Sequence, residues 1–148
     1  MKVVVDTSVL VRAVVRDDKA HAKGAIKVLR DAELIAIALP CLCEFVWVLR
    51  RVYDFQPNDA AIAVRALLGS ANVEMNRPAV EAGLSVLDSG GDFADGVIAY
   101  EGNWLGGETF VSFDKKAVAQ LKARGQLARL LSWHVGCAFE KHGVLTPA

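Results

Sequence analysis

Residues 2–10 read KVVVDTSVL, and this stretch decides the fold. Three consecutive β-branched residues, Val3 to Val5, form a run without polar interruption, which predicts a buried strand. Asp6 ends it, and Thr7-Ser8 supplies a helix start directly afterwards. A strand that passes into a helix across so short a polar turn is the first half of a βαβ unit. The same order recurs downstream. Leu34–Leu39 is a continuous apolar run that predicts a second strand. Pro40 then takes the first position of a helix through about Val52, where its missing N–H does no harm. Val73–Met75 and Glu108–Phe113 predict two more strands, and Ala128–Ser132 a short edge strand. Between them, apolar residues at helical spacing predict a helix over Ala20–Leu29, with Lys23, Lys27 and Arg30 on its wet face. Asn58 is expected to cap Asp59–Leu68. Arg77-Pro78 opens a helix that stops at Gly90-Gly91, Asp92 begins one to about Trp104, and Lys115–Arg124 forms the last. Strands alternating with helices imply an α/β fold, a mostly parallel central sheet covered on both faces. Right-handed crossovers place all strand C-termini on one edge, where ligands bind in such folds.

Composition narrows the class. The chain has 148 residues, 53% hydrophobic and 23% charged, which suits one soluble globular domain over 1–148. Neither a repeat nor a linker divides it. The longest apolar stretch, Leu34 to Leu49, is broken by Pro40 and Glu44, so no membrane span is expected. MKVVVDTS lacks the apolar core of a secretory signal. Cys41, Cys43 and Cys137 are odd in number and lie in apolar surroundings, as expected of reduced thiols in the cytoplasm. Two of them, two residues apart and without a second pair, make a poor zinc site. A formal net charge of zero gives no whole-chain support for nucleic-acid binding, although an enzyme that meets RNA around a metal remains compatible.

The chemistry rests on carboxylates placed at the starts of helices: Asp6 in KVVVDTSVL, Glu44 in LPCLCEFVWVL, Asp95 in DFADGVIAY and Asp114 in TFVSFDKKA. Asp6 has a structural role open to it as a cap, but Thr7 or Ser8 can do that work. Glu44 has apolar neighbours on every side, and Trp47 and Val48 lie one turn on. It therefore reads either as a ligand or as the partner of Arg50 or Arg51. Asp92 and Asp95, three apart, resemble a capping box with Asp92 as N-cap. Asp114 ends a strand and can cap the helix after it, while Ser112 projects to the same side. Carboxylates about 4 Å apart repel by roughly 4 kcal/mol per pair at an effective dielectric of about 20. A cluster of four is tolerated only if protons or a cation neutralise it, and oxygen-only donors favour Mg²⁺ or Mn²⁺ over zinc.

These four segments, in this order and spacing, resemble the PIN-domain ribonucleases, and among them the VapC-type toxins of bacterial and archaeal toxin–antitoxin pairs. The resemblance covers most of the chain, from VVVDTSVLVR to FVSFDKKA. It implies a Rossmann-like α/β/α sandwich, a homodimer, and a small antitoxin that occludes the active site. It also implies that Asp6, Glu44, Asp95 and Asp114 hold one or two Mg²⁺ or Mn²⁺ ions for hydrolysis of RNA. Asp92 matches an accessory acid, and Ser112 and Thr7 or Ser8 match hydroxyls near the metal. Residues 133–148 run past the expected end of such a domain and have no assigned role. Arg12, Arg16, Lys115 and Lys116 read either as phosphate-steering groups or as solvated faces. Two other readings stand beside this one. A phosphatase or phospho-acceptor domain also places an Asp after its first strand, but position 8, where a dehalogenase-like enzyme wants a second acid, is Ser8. A non-catalytic binding module would keep the fold without the chemistry.

Overall fold

The computed structural model describes residues 1–132; residues 133–148, with Cys137, lie outside the described residues. The chain runs β1 (Lys2–Val4), α1 (Thr7–Val15), α2 (Lys19–Asp31), β2 (Leu34–Ala36), α3 (Leu39–Arg51), α4 (Pro57–Leu68), β3 (Val73–Glu74), α5 (Arg77–Asp88), α6 (Phe93–Trp104), β4 (Phe110–Ser112), α7 (Lys115–Ala123) and β5 (Ala128–Leu130). This is the expected α/β alternation, and among the described residues every pair of hydrogen-bonded strands is parallel. The contacts divide the chain into two compact units, one over Met1–Gly107 and one from Glu108 onward.

The first unit holds a three-stranded sheet in the order β1-β2-β3, with Val3 opposite Ile35 and Ile35 opposite Val73. Parallel pairing sends the chain out of β1 and β2 at the same edge, where α1 and α3 begin. Leu10, Ile35, Leu42, Phe45, Leu49 and Phe93 are each no more than 1% exposed and form the centre of its core. Burying such side chains stabilises the fold by about 1.5–3 kcal/mol apiece. β1 is less enclosed than the valine run implies. It lies on the outside of its ladder, and the two-residue strand period places Val5 inward and leaves Val4 80% exposed.

Local chemistry explains where the helices start. Asp18 caps α2 by accepting from the His21 N–H, and Asn76 caps α5 by accepting from the Ala79 N–H. Asn58 does not cap α4. Pro57 occupies the first position, Gln56 precedes it as N-cap, and neither Gln56 nor Ala38, the N-cap of α3, makes a side-chain cap bond. Pro40 takes the second rather than the first position of α3, because β2 ends three residues earlier than its apolar run suggests. The Asn72 amide donates to the carbonyls of Leu29 and Ala32, both at 3.0 Å, and so covers the end of α2. Arg65 on α4 clamps Asp88 on α5 through two hydrogen bonds, the shorter 2.6 Å.

Helices α5 and α6 approach each other closely. A Cβ added at Gly96 would lie 2.4 Å from the Ala82 carbonyl oxygen and 2.8 Å from the Gly83 Cα. A Cβ at Gly83 would lie 2.7 Å from the Phe93 ring. Two glycines therefore let the backbones touch, and Phe93 fills the space beside them.

The second unit pairs β4 with β5, Val111 opposite Arg129, and covers them with α7 through Ala117, Val118 and Leu121.

Candidate active site

In the first unit Asp6 stands at the end of β1. Its backbone conformation is extended and its carbonyl accepts from the Val9 N–H, so it occupies the N-cap of α1. Its side chain does not cap. The exposed carboxylate instead accepts the Ser8 hydroxyl on Oδ2 at 3.0 Å. Neither Ser8 nor Thr7 caps the helix either, contrary to the reading of the sequence. The helix begins at Thr7 itself, whose buried Oγ1 donates to the Cys41 Sγ at 3.7 Å. The Cys41 thiol in turn donates to the Val5 carbonyl, also at 3.7 Å. These two weak bonds join the end of β1 and the first turn of α1 to the first turn of α3.

Glu44 lies one turn beyond Cys41 and is exposed. The expectation that apolar neighbours enclose it does not hold. Leu42, Phe45 and Val46 are buried, but Trp47 is 56% exposed, so Glu44, Trp47 and Arg51 share a wet stripe at helical spacing. A structural ion pair does not form, since Arg50 donates to the Phe55 carbonyl and neither Arg50 nor Arg51 meets Glu44 among the described residues. What associates Glu44 with Asp6 is Cys41. Burial chiefly pushes the half-buried Cys41 thiol above its ordinary value, the Thr7 hydrogen bond opposes this, and the charges of Asp6 and Glu44 both add to the rise.

Asp92 caps α6, its Oδ1 accepting from the Ala94 N–H at 3.0 Å, as the capping reading expects. Asp95 is half-buried in the first turn of that helix, and its N–H donates to the Asp92 carbonyl. Asp92 and Glu101 both act on Cys43, whose thiol burial pushes up first and these charges push further, to about 11. Cys43 opens on an apolar groove of about 470 Å³ between α3 and α6, lined also by Leu39, Pro40, Val97, Ile98 and Glu101.

In the second unit Asp114 caps α7, its Oδ1 accepting from the N–H groups of Lys116 at 2.9 Å and Ala117 at 3.1 Å. Ser112 is adjacent, its hydroxyl oxygen accepting the Asp114 N–H at 3.0 Å. The projection of both to one side is therefore realised locally, and Asp114 is a cap with its second carboxylate oxygen unused among the described residues.

The structure thus bonds Thr7 to Cys41 and Ser8 to Asp6, and the charges of Asp6 and Glu44 reach Cys41 as those of Asp92 and Glu101 reach Cys43. Among the described residues no three His, Cys, Asp or Glu side chains are arranged to hold one metal ion. The donors nevertheless suit a hard divalent cation in kind. Asp6 and Glu44 are exposed carboxylates that neither cap a helix nor form an ion pair among the described residues. Sequence reasoning did not find the joining role of Cys41 or the influence of Glu101. The signal for Cys41 was its place three residues before Glu44, on the same helical face.

A parallel α/β chain with exposed carboxylates where its first strands give way to helices defines a class of proteins that act at the sheet edge. The model of the PIN domain family matches residues 3–122, and the chain belongs to that family. No curated protein matches the chain. PIN domains are generally metal-dependent nucleases, and their nucleases typically use divalent metals. No helix among the described residues is long and apolar enough to cross a membrane.

Proposed function

We propose that this chain is an Mg²⁺- or Mn²⁺-dependent endoribonuclease, and that it is the VapC-type toxin of a toxin–antitoxin pair. The observation that carries the reading is Asp6: at the N-cap of α1 it leaves the capping work undone and keeps an exposed carboxylate, whose charge, like that of Glu44, reaches the Cys41 thiol. A side chain that forgoes a cap bond gives up about 1 kcal/mol of stability, which a ligand-binding role explains. In the first unit Asp6, Glu44 and Asp95 are the proposed metal-holding acids, with Asp92 an accessory acid, and in the second Asp114 is the acid proposed for that role. Ser8 orients Asp6 through its hydroxyl, Thr7 fixes the helix start, and Ser112 holds the turn at Asp114. A divalent cation held by these carboxylates would supply water activation and would neutralise charge developing on the phosphodiester.

The match over residues 3–122 spans both compact units, which supports treating 1–148 as one functional domain with an extension over 133–148. Its proposed partners are RNA, a cognate antitoxin and a second copy of the chain, in the cytoplasm. Cleavage of single-stranded and structured RNA with Mg²⁺ or Mn²⁺, wild type beside Asp6→Asn, tests the reading. Wild type is expected to cut and Asp6→Asn to lose at least 100-fold in rate. Equal rates would assign the activity to another site or a contaminant.

A further inference from the structure

A second surface of the first unit has the opposite charge. Arg16, at the end of α1, and Lys19, Lys23, Lys27 and Arg30 along α2 line one groove of about 490 Å³. Its lining includes no acidic residue, and Ile26 lies half-buried within it. Five of the chain's 17 cationic side chains thus stand together on a protein of zero net charge. The lining is locally cationic although the whole-chain balance gives no hint of it.

The acids nearby are already engaged. Asp17 bonds Arg12 at 2.8 Å, Asp18 caps α2 and meets the His21 Nδ1 at 2.7 Å, and Asp31 bonds Arg30 at 2.9 Å. Lys19, Lys23 and Lys27 make no ion pair or hydrogen bond among the described residues. They recur every four residues, so they form a row that winds by about 80° around the helix, rising ~6 Å along its axis between neighbours and ~12 Å from end to end. That interval is of the order of the separation of adjacent phosphates in an extended strand.

We propose that the α2 groove is a docking surface for the phosphodiester backbone of single-stranded RNA, separate from the acidic site at Asp6. The identity of the polyanion rests on the nuclease reading, and the charge geometry rests on α2 alone. Each lysine neutralises one phosphate, and the half-buried Ile26 gives the strand an apolar surface between them. Recognition is of the backbone and carries no base sequence.

The test measures binding of a short fluorescein-labelled oligouridine by anisotropy, across a salt series in EDTA, with the full chain carrying Asp6→Asn so that nothing is cut. The triple variant Lys19→Gln, Lys23→Gln, Lys27→Gln keeps exposed helix-forming side chains and removes three charges. A matched variant, Arg51→Gln, Lys122→Gln, Arg129→Gln, removes three exposed charges elsewhere. Removing three phosphate contacts to a single strand lowers the log–log salt slope by about 2, hence affinity by about 100-fold at 0.1 M salt. The matched variant is expected to change affinity less than threefold. Equal affinity of the α2 variant and its parent overturns the proposal, as does an equal loss in the matched variant. Tight binding of polyglutamate with none of oligouridine overturns it in favour of an acidic protein partner. Loss of cleavage in Asp6→Asn is read separately, so a dead nuclease that still binds through α2 refutes neither statement, and an active one that ignores α2 refutes only this one.

Discussion

Replacing Gly96 by alanine puts the contact between α5 and α6 to a direct test. The added methyl would stand 2.4 Å from the Ala82 carbonyl oxygen and 2.8 Å from the Gly83 Cα, both backbone atoms that cannot turn aside. Ordinary carbon–oxygen contact is about 1 Å longer, so the two helices must separate by about that much or bend. Overpacking a close interior contact costs about 1–3 kcal/mol, and a clash against backbone belongs at the upper end. Alanine returns about 1 kcal/mol through helix propensity, which leaves a net loss of about 2 kcal/mol. For a chain of this length that lowers Tm by roughly 4–8 °C. The internal standard is Gly24→Ala on α2, where the new methyl meets nothing within 4 Å. That change is expected to stabilise by about 0.5–1 kcal/mol from propensity alone. Thermal and urea unfolding of the two variants beside wild type read both signs. A Gly96→Ala protein as stable as wild type would refute the close-approach argument. Because α6 carries Asp92 and Asp95, the same variant is expected to lose cleavage activity beyond its loss of folded protein.

Three further outcomes follow from the site and its surroundings. Glu44→Gln is expected to fold within about 0.5 kcal/mol of wild type without added metal, since the carboxylate is exposed and has no ion pair to lose among the described residues; a marked fall in the urea midpoint would reveal a structural partner. Cys43 should resist iodoacetamide at pH 8 and label only as pH approaches its thiol value of about 11, read by mass spectrometry; full labelling at pH 8 on the timescale of a free thiol contradicts this. The His21 N–H holds the Asp18 carboxyl below its ordinary value, so its contribution is complete above the unfolded value of 3.8 and is lost as pH falls through the lower folded one. Asp18→Ala should therefore be destabilised at neutral pH, and its difference from wild type should close in strong acid; a constant difference down to the acid limit would show that the charge plays no part.

The parallel α/β plan was legible because its signals are local. Val3–Val5, the apolar run before Pro40 and the alternation of strand and helix segments report strand type and connection without any tertiary knowledge. Helix caps were legible where the side chain is the only candidate, as at Asp92 and Asp114, and misread where a rival preceded it, as with Asn58 beside Pro57. Glu44 shows the limit of pattern reasoning. Its apolar neighbours suggested enclosure, yet exposure of a helical residue depends on which side meets the core, and Trp47 turns out to share its wet side. Gly83 and Gly96 carried no readable signal, because nothing in DFADGVIAY announces that a distant carbonyl lies within reach of one missing methyl. The α2 lysines were read as a wet face, which is true as far as it goes. Their isolation from nearby acids depends on the pairing of Asp17, Asp18 and Asp31, which spacing alone does not settle.

The thiol of Cys41 works as a gauge block. Its two contacts, to the Thr7 hydroxyl and the Val5 carbonyl, each span 3.7 Å, a reach that sulfur permits. A hydroxyl bonds at about 2.8 Å, so a serine in its place would either lose one contact or draw each neighbour in by about 1 Å. The first turn of α3 would then shift toward the end of β1, and the interval between Asp6 and Glu44 would shrink with it. Residue 41 thus sets how closely the start of α3 approaches the end of β1, through the size of its outer atom alone.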